Sequence, residues 1–251
     1  MIIKTEEELA GIRQAGKVFA EIREKVIAHV APGITTKELD DIAKEAFLEA
    51  GAISAPKEDF QFPGYACISV GDEVAHGIPG DRVIQDGELV NIDVSGAYNG
   101  YYVDTGKSLI AGSVTEKNSQ AAKLVQDTET IFNHALKVIK TGTTLQKLGR
   151  TVEEKAEELG YKVLENLTGH GVGHSLRDKP DYVYNVDAFW DKQKLKEGQV
   201  IAFEPFISTK GIEAEPKNND GWTLTAGPDS LVCQLEHSLI VRKDGVEIVT
   251  A

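Results

Sequence analysis

The chain has 251 residues, with 40 Asp plus Glu against 27 Lys plus Arg, a formal net charge of −13 and 41% apolar side chains. That length buries enough surface to fold without disulfides or a structural metal, and two cysteines, Cys67 and Cys233, make no disulfide framework and fit a reducing compartment. The acidic balance argues against DNA or an anionic membrane as partner, because both call for a basic patch. No apolar run approaches bilayer length, and Met1-Ile2-Ile3-Lys4 lacks the pattern of a leader, so a soluble cytoplasmic protein is expected.

In chain order, Thr5 and Glu8 have the spacing of a capping box, and Leu9, Ile12, Phe19, Ile22, Val26 and Val30 recur at helical intervals until Ala31-Pro32-Gly33. Thr35 with Glu38 repeats the box, and Leu39, Ala43, Phe47 and Ala50 mark the buried stripe of a second helix ending at Gly51. The same unit returns 109 positions later: Gly33, Leu39, Ala43, Phe47, Ala50 and Gly51 map without a gap onto Gly142, Leu148, Val152, Ala156, Leu159 and Gly160. Strand-like segments follow each helix pair: Tyr65 to Val70, Leu89 to Tyr98 and Tyr101 to Ala111, then Gln199 to Ser208 and Leu231 to Val241. Helices before strands in both halves predict an α+β fold with antiparallel pairing, pseudo-twofold halves of about 1–113 and 114–251, and one shared sheet. No linker-like composition divides the chain, so 1–251 reads as a single domain.

Asn99-Gly100 between two strand patterns predicts a two-residue hairpin pairing Tyr98 with Tyr101. Gly106 then stands opposite Asp93, and Asp104 becomes the diagonal neighbour of Asp93 on the same face, roughly 7 to 8 Å away at the backbone. Two acids so placed lean together only if something neutralises their repulsion, for which a cation is the natural candidate; the alternative is a solvent face carrying two ordinary acids. Asp93 in Val90-Asn91-Ile92-Asp93-Val94, Glu204 in Ile201-Ala202-Phe203-Glu204-Pro205 and Glu236 before His237-Ser238-Leu239 are acids inside apolar runs, which require a partner. His76 and His170 each precede glycine early in their halves, and the glycines around His170 suit a loop that exposes a ring to a site; His29, His134 and His237 read as ordinary core or surface residues. Four carboxylates and one imidazole suit two hard to borderline divalent ions, manganese, iron(II), cobalt or zinc, and such a pair implies hydrolysis.

These residues, with Cys67-Ile68-Ser69-Val70, Glu73-Val74-Ala75-His76-Gly77-Ile78-Pro79 and Gly169-His170-Gly171-Val172-Gly173, resemble the methionine aminopeptidases, in their short bacterial type I form, among the pita-bread metallopeptidases. The resemblance implies a curved antiparallel sheet covered by helices, and removal of the initiator methionine from nascent chains whose second residue is small. It also implies a monomer that meets nascent polypeptides near the ribosome. By resemblance, Asp104 and Glu236 bridge two metals, Asp93 completes one site, and His170 with Glu204 completes the other. Glu204 serves as the general base, and His76 as a substrate-facing acid or hydrogen-bond donor. Phe62, Cys67, Leu176, Phe203 and Trp222 are the matching candidates for the pocket that takes a methionine side chain.

One position departs from the family pattern: Arg177 stands where a second histidine would contact the scissile peptide. A guanidinium stays charged and cannot reproduce an imidazole's placement or proton exchange. His174 could substitute in space, or Arg177 could turn outward to Asp178. An Xaa-Pro peptidase of the same fold is one alternative, against which the short N-terminal region argues. A catalytically weakened module that binds peptides or the ribosome is the other.

Overall fold

The computed structural model describes all residues, 1–251. Helix α1 (Glu6–Ile27) opens with the expected box: the Thr5 side chain accepts from Glu8 N while Glu8 accepts from the Thr5 backbone. It stops at Ile27, earlier than the apolar pattern suggests, because Ala28, His29 and Val30 close the end with bonds to Glu24, Val26 and Ile27. Helix α2 (Thr36–Ala50) repeats the box with Thr35 and Glu38 and ends on left-handed Gly51. A short helix α3 (Ala55–Phe60) follows, then α4 (Ser119–Leu136) and α5 (Leu145–Glu158).

The 109-residue repeat is visible in the hydrogen bonds. Thr35 caps α2 and Thr144 caps α5, and Gly33 N donates to Ile84 O as Gly142 N donates to Leu195 O, each at 2.8 Å. Each helix pair therefore docks on its half through the same backbone contacts. Each half also has its own apolar core. Phe19 and Phe47 meet edge to face at 5.5 Å in the first, and Phe132 meets Phe203 at 5.0 Å in the second. The first core takes in Val172, Val200, Ala202 and Ile240 from the second half, which ties the halves together.

All strand pairs are antiparallel. Leu89–Tyr98 and Tyr101–Ile110 pair along their full length around Asn99 and Gly100, both at positive φ as a tight hairpin turn requires. The second half's main sheet runs Val246–Ile248, His237–Val241, Val200–Phe203, Gly169–Gly171 and Asp178–Val183. The halves are joined edge to edge where Gly106 and Glu236 exchange backbone hydrogen bonds and Lys107 bridges Leu235. Two expected strands are broken in the middle, and each break serves the site. Pro205 lacks an N–H and ends the ladder just after Glu204, while Leu235-Glu236 turns from its own sheet to bond Gly106 across the junction. No helix is long and apolar enough to cross a membrane.

Packing of α1 on the C-terminal segment is close enough that a Cβ at Gly16 would overlap the carbonyl of Val249. Alanine in place of glycine favours a helix interior by about 1 kcal/mol, but overpacking against backbone that cannot rotate away costs about 1–3 kcal/mol. Gly16→Ala is therefore expected to lower stability despite its better helix propensity. Denaturant unfolding checks this, and the midpoint should fall.

Candidate metal and substrate site

The hairpin register sets the first two acids. Asp93 pairs with Gly106 and Ser95 with Asp104, so Asp93 and Asp104 are the diagonal neighbours expected from the sequence. The junction between halves adds Glu236, and ligand-capable atoms of Asp93, Asp104 and Glu236 all lie within 4.8 Å of one another. His170 enters from the adjoining sheet: its Nε2 is 3.6 Å from Asp104 Oδ2 and 3.5 Å from Glu204 Oε1. Its Nδ1 is 2.9 Å from Gly171 O, which fixes the ring with Nε2 towards the acids. All five side chains named from the sequence thus converge, with Asp104 common to both groups.

The acids are held by a polar web that sequence reasoning missed. Gln234 Nε2 donates to Glu236 Oε2 at 3.0 Å and to Asp93 Oδ2 at 3.4 Å, and Asn91 Nδ2 holds Gln234 Oε1 at 2.8 Å. Ser108 accepts from both Asn91 Nδ2 and Gln234 N. Gly106 makes this possible, since a Cβ there would stand 2.6 Å from the Gln234 side-chain oxygen. The available signal was polar Asn91 and Gln234 within apolar strands.

This arrangement is unfavourable without a cation. Burial pushes the carboxyl groups of Asp93, Glu204 and Glu236 well above their usual range, and the charge of Asp104 pushes all three further. Arg177 opposes the shift in each case. Asp104 Oδ1 and Glu236 Oε1 are buried with no hydrogen-bond partner. Two anionic oxygens orphaned in one cluster, with an imidazole nitrogen alongside, fit a divalent ion that prefers oxygen and nitrogen ligands.

Beside the acids lies a small pocket of about 140 Å³. Phe62, Cys67, Leu176 and Trp222 form its apolar part, with Phe62 and Trp222 edge to face at 5.2 Å. Pro56 and Phe60 from α3 and Ser95 complete the wall; α3 went unread because Ala55–Phe60 is too short for helical periodicity to register. Burial first, then the aspartates, pushes the Cys67 thiol well up, so it stays a neutral apolar surface. His76 faces the pocket from a left-handed backbone at φ 54°, an uncommon conformation that the fold imposes on it. Burial, and secondarily Arg177, lowers its pKa, so its imidazole is neutral at neutral pH.

Three expectations are resolved by position. Phe203 is not in the pocket: its ring packs on Phe132 in the second core, because strand alternation turns it to the helix side. His174 faces a separate cavity near Met1 and Lys194 and does not stand in for a second histidine. Arg177 lines this pocket and does not pair with Asp178, whose carboxylate is engaged by the Met1 ammonium at 3.0 Å and by Lys179 N at 2.6 Å. His237, held by Thr250 and packed on Phe132, stays in the core as read from the sequence, and burial lowers its pKa to about 4.

The sequence profile of metallopeptidase family M24 matches residues 10–243. The chain belongs to family M24. Over 250 residues it is 48% identical to the methionine aminopeptidase of Staphylococcus epidermidis, covering 100% of this chain and 98% of that protein. The crystal structure of methionine aminopeptidase from Rickettsia prowazekii superposes with a TM-score of 0.92 at 35% identity, with both chains fully covered. A prolidase from Pyrococcus furiosus is similar in fold only, with a TM-score of 0.77 at 23% identity, covering 100% of this chain and 65% of that one. The antiparallel α+β architecture is the pita-bread fold of M24 peptidases, as expected.

The raised carboxyl groups have a consequence for stability. Folded-state values above the unfolded ones mean that the metal-stripped fold binds more protons than the unfolded chain. Its stability is therefore fullest below the ordinary carboxylate range and is lost as pH rises through the raised values. Asp104→Asn removes the charge that raises the other three, and relief of a buried like-charge contact should stabilise the metal-stripped protein by roughly 1–3 kcal/mol at neutral pH. Thermal unfolding in chelator checks this: the variant should melt higher than the parent at pH 7, and the gap should shrink towards pH 4.

Proposed function

We propose that this chain is a methionine aminopeptidase that removes the N-terminal methionine from nascent polypeptides with a small second residue. It would act in the cytoplasm as a single catalytic domain spanning 1–251, with pseudo-repeat halves near 1–113 and 114–251. The observation that carries the reading is the convergence of Asp93, Asp104 and Glu236, with orphaned carboxylate oxygens on Asp104 and Glu236, beside a pocket that Asp93 and Asp104 line together with Phe62, Cys67, Leu176 and Trp222. Asp93, Asp104, His170, Glu204 and Glu236 would hold two divalent ions, manganese, iron(II), cobalt or zinc. Asp104 suits a bridging role because it lies close to both the His170 group and the Asp93–Glu236 group. When bound, such ions act as Lewis acids that acidify water and polarise a peptide carbonyl.

The chain's own residues supply the rest. Phe62, Cys67, Leu176 and Trp222 take the methionine side chain in a wall without charge, which places the first peptide bond over the acids. Glu204, whose Oε1 lies 3.5 Å from His170 Nε2 at the pocket wall, takes the proton from water and delivers it to the leaving amine. Neutral His76 donates a hydrogen bond from its ring N–H to the substrate at the pocket wall. An Xaa-Pro peptidase is supported by fold likeness alone at 23% identity, and a silent binding module is disfavoured by retention and clustering of all five ligating side chains.

The test is methionine release from Met-Ala-Ser, using protein purified without oxygen, with manganese, iron(II), cobalt or zinc added in turn. Release with at least one ion is expected, and Glu204→Gln should lower the rate by roughly 100-fold or more. No release with any ion, from folded protein that still binds the ions, would favour the binding module.

A further inference from the structure

Leu176 and Arg177 are neighbours with opposite settings: Leu176 is buried in the apolar part of the pocket, whereas Arg177 is exposed at its mouth. Arg177 makes no ion pair, and its side chain makes no hydrogen bond; only its backbone is engaged, by Ser175 Oγ. Asp178, the adjacent acid, is turned to Met1 and Lys179. The other acids on the pocket wall, Asp93, Asp104 and Glu204, belong with Glu236 to the candidate metal cluster. Four carboxylates are matched in charge by two divalent ions, which leaves the guanidinium as the one uncompensated charge facing the pocket.

A peptide whose first side chain fills the apolar end lays its second and third residues at the mouth, where Arg177 is. We infer that Arg177 is a specificity-determining residue that pairs with a carboxylate on the peptide just beyond the scissile bond. The carboxylate is either an acidic side chain at the third residue or the free C-terminus of a short peptide. The inference rests on the aminopeptidase reading above. A guanidinium offers a planar fork of donors that matches a carboxylate, and at an exposed mouth such a pair changes affinity by roughly two- to fivefold. The same fork has no match in a neutral side-chain amide that carries its own donors.

The experiment compares kcat/KM for Met-Ala-Glu amide, Met-Ala-Gln amide and Met-Ala-Gln with a free C-terminus, at low and high ionic strength. The manganese-loaded parent, Arg177→Gln and Arg177→Lys are tested side by side. The expected result is a preference of roughly two- to fivefold for a peptide with a carboxylate, shrinking with salt, retained in part by Arg177→Lys and abolished by Arg177→Gln. The Glu amide tests the side chain and the free acid tests the terminus, so the pattern identifies which carboxylate is read. Equal kcat/KM for all three peptides, or a preference that survives Arg177→Gln, would overturn the inference while leaving the peptidase reading standing. If no peptide releases methionine, that reading fails instead. Calorimetric binding of Ala-Glu amide against Ala-Gln amide then decides the role of Arg177: tighter binding of Ala-Glu amide that Arg177→Gln removes supports it, and equal binding refutes it.

Discussion

Four carboxylates brought together at the junction of two half-molecules repel one another, and each loses hydration as it is buried. Water would relieve that repulsion if it could enter freely, but Asp104 and Glu236 are buried, each with one oxygen that accepts nothing. The pair of halves therefore closes on a charge cluster that opposes closure unless protons or cations join it. Most of the surrounding structure follows from that constraint. Gln234 offers two hydrogen bonds to the acids, Asn91 and Ser108 hold Gln234 still, and Gly106 leaves the room that Gln234 needs.

Duplication explains how one small chain achieves this geometry. Each half brings a helix pair docked by equivalent glycine contacts, and each contributes two acids, the first half from successive strands and the second from the breaks after Phe203 and Gln234. The halves are not copies at the centre, however. The first uses a continuous ten-residue hairpin to set Asp93 against Asp104. The second interrupts its strands at Glu204-Pro205 and at Leu235-Glu236, which frees one acid from the ladder and sends the other across the junction. A regular sheet in both halves would leave Glu236 bonded within its own ladder.

Much of this was legible in the sequence because it follows from local rules. Asn99-Gly100 determines a turn, the turn determines a register, and the register puts Asp93 diagonal to Asp104 without any tertiary information. The helix boxes at Thr5 and Thr35 and the 109-residue repeat are likewise local patterns. What could not be read depended on contacts between distant segments. Gln234 touches Asp93 across 141 positions, α3 is too short to show a period, and Arg177 comes to the pocket wall beside residues from distant segments such as Phe62, His76 and Trp222. Phe203 illustrates the same limit: its apolar neighbours suggest a buried ring, but only the register of its strand says which side of the sheet buries it.

The central claim is that the fold tolerates this cluster because divalent ions neutralise it, and metal titration by calorimetry in two buffers of different ionisation enthalpy tests it most directly. Starting from metal-stripped protein at pH 7, about two equivalents of manganese should bind with net release of protons, since the raised carboxyl groups must give theirs up to become ligands. Binding without proton release, or no binding stoichiometric with the protein, would contradict it.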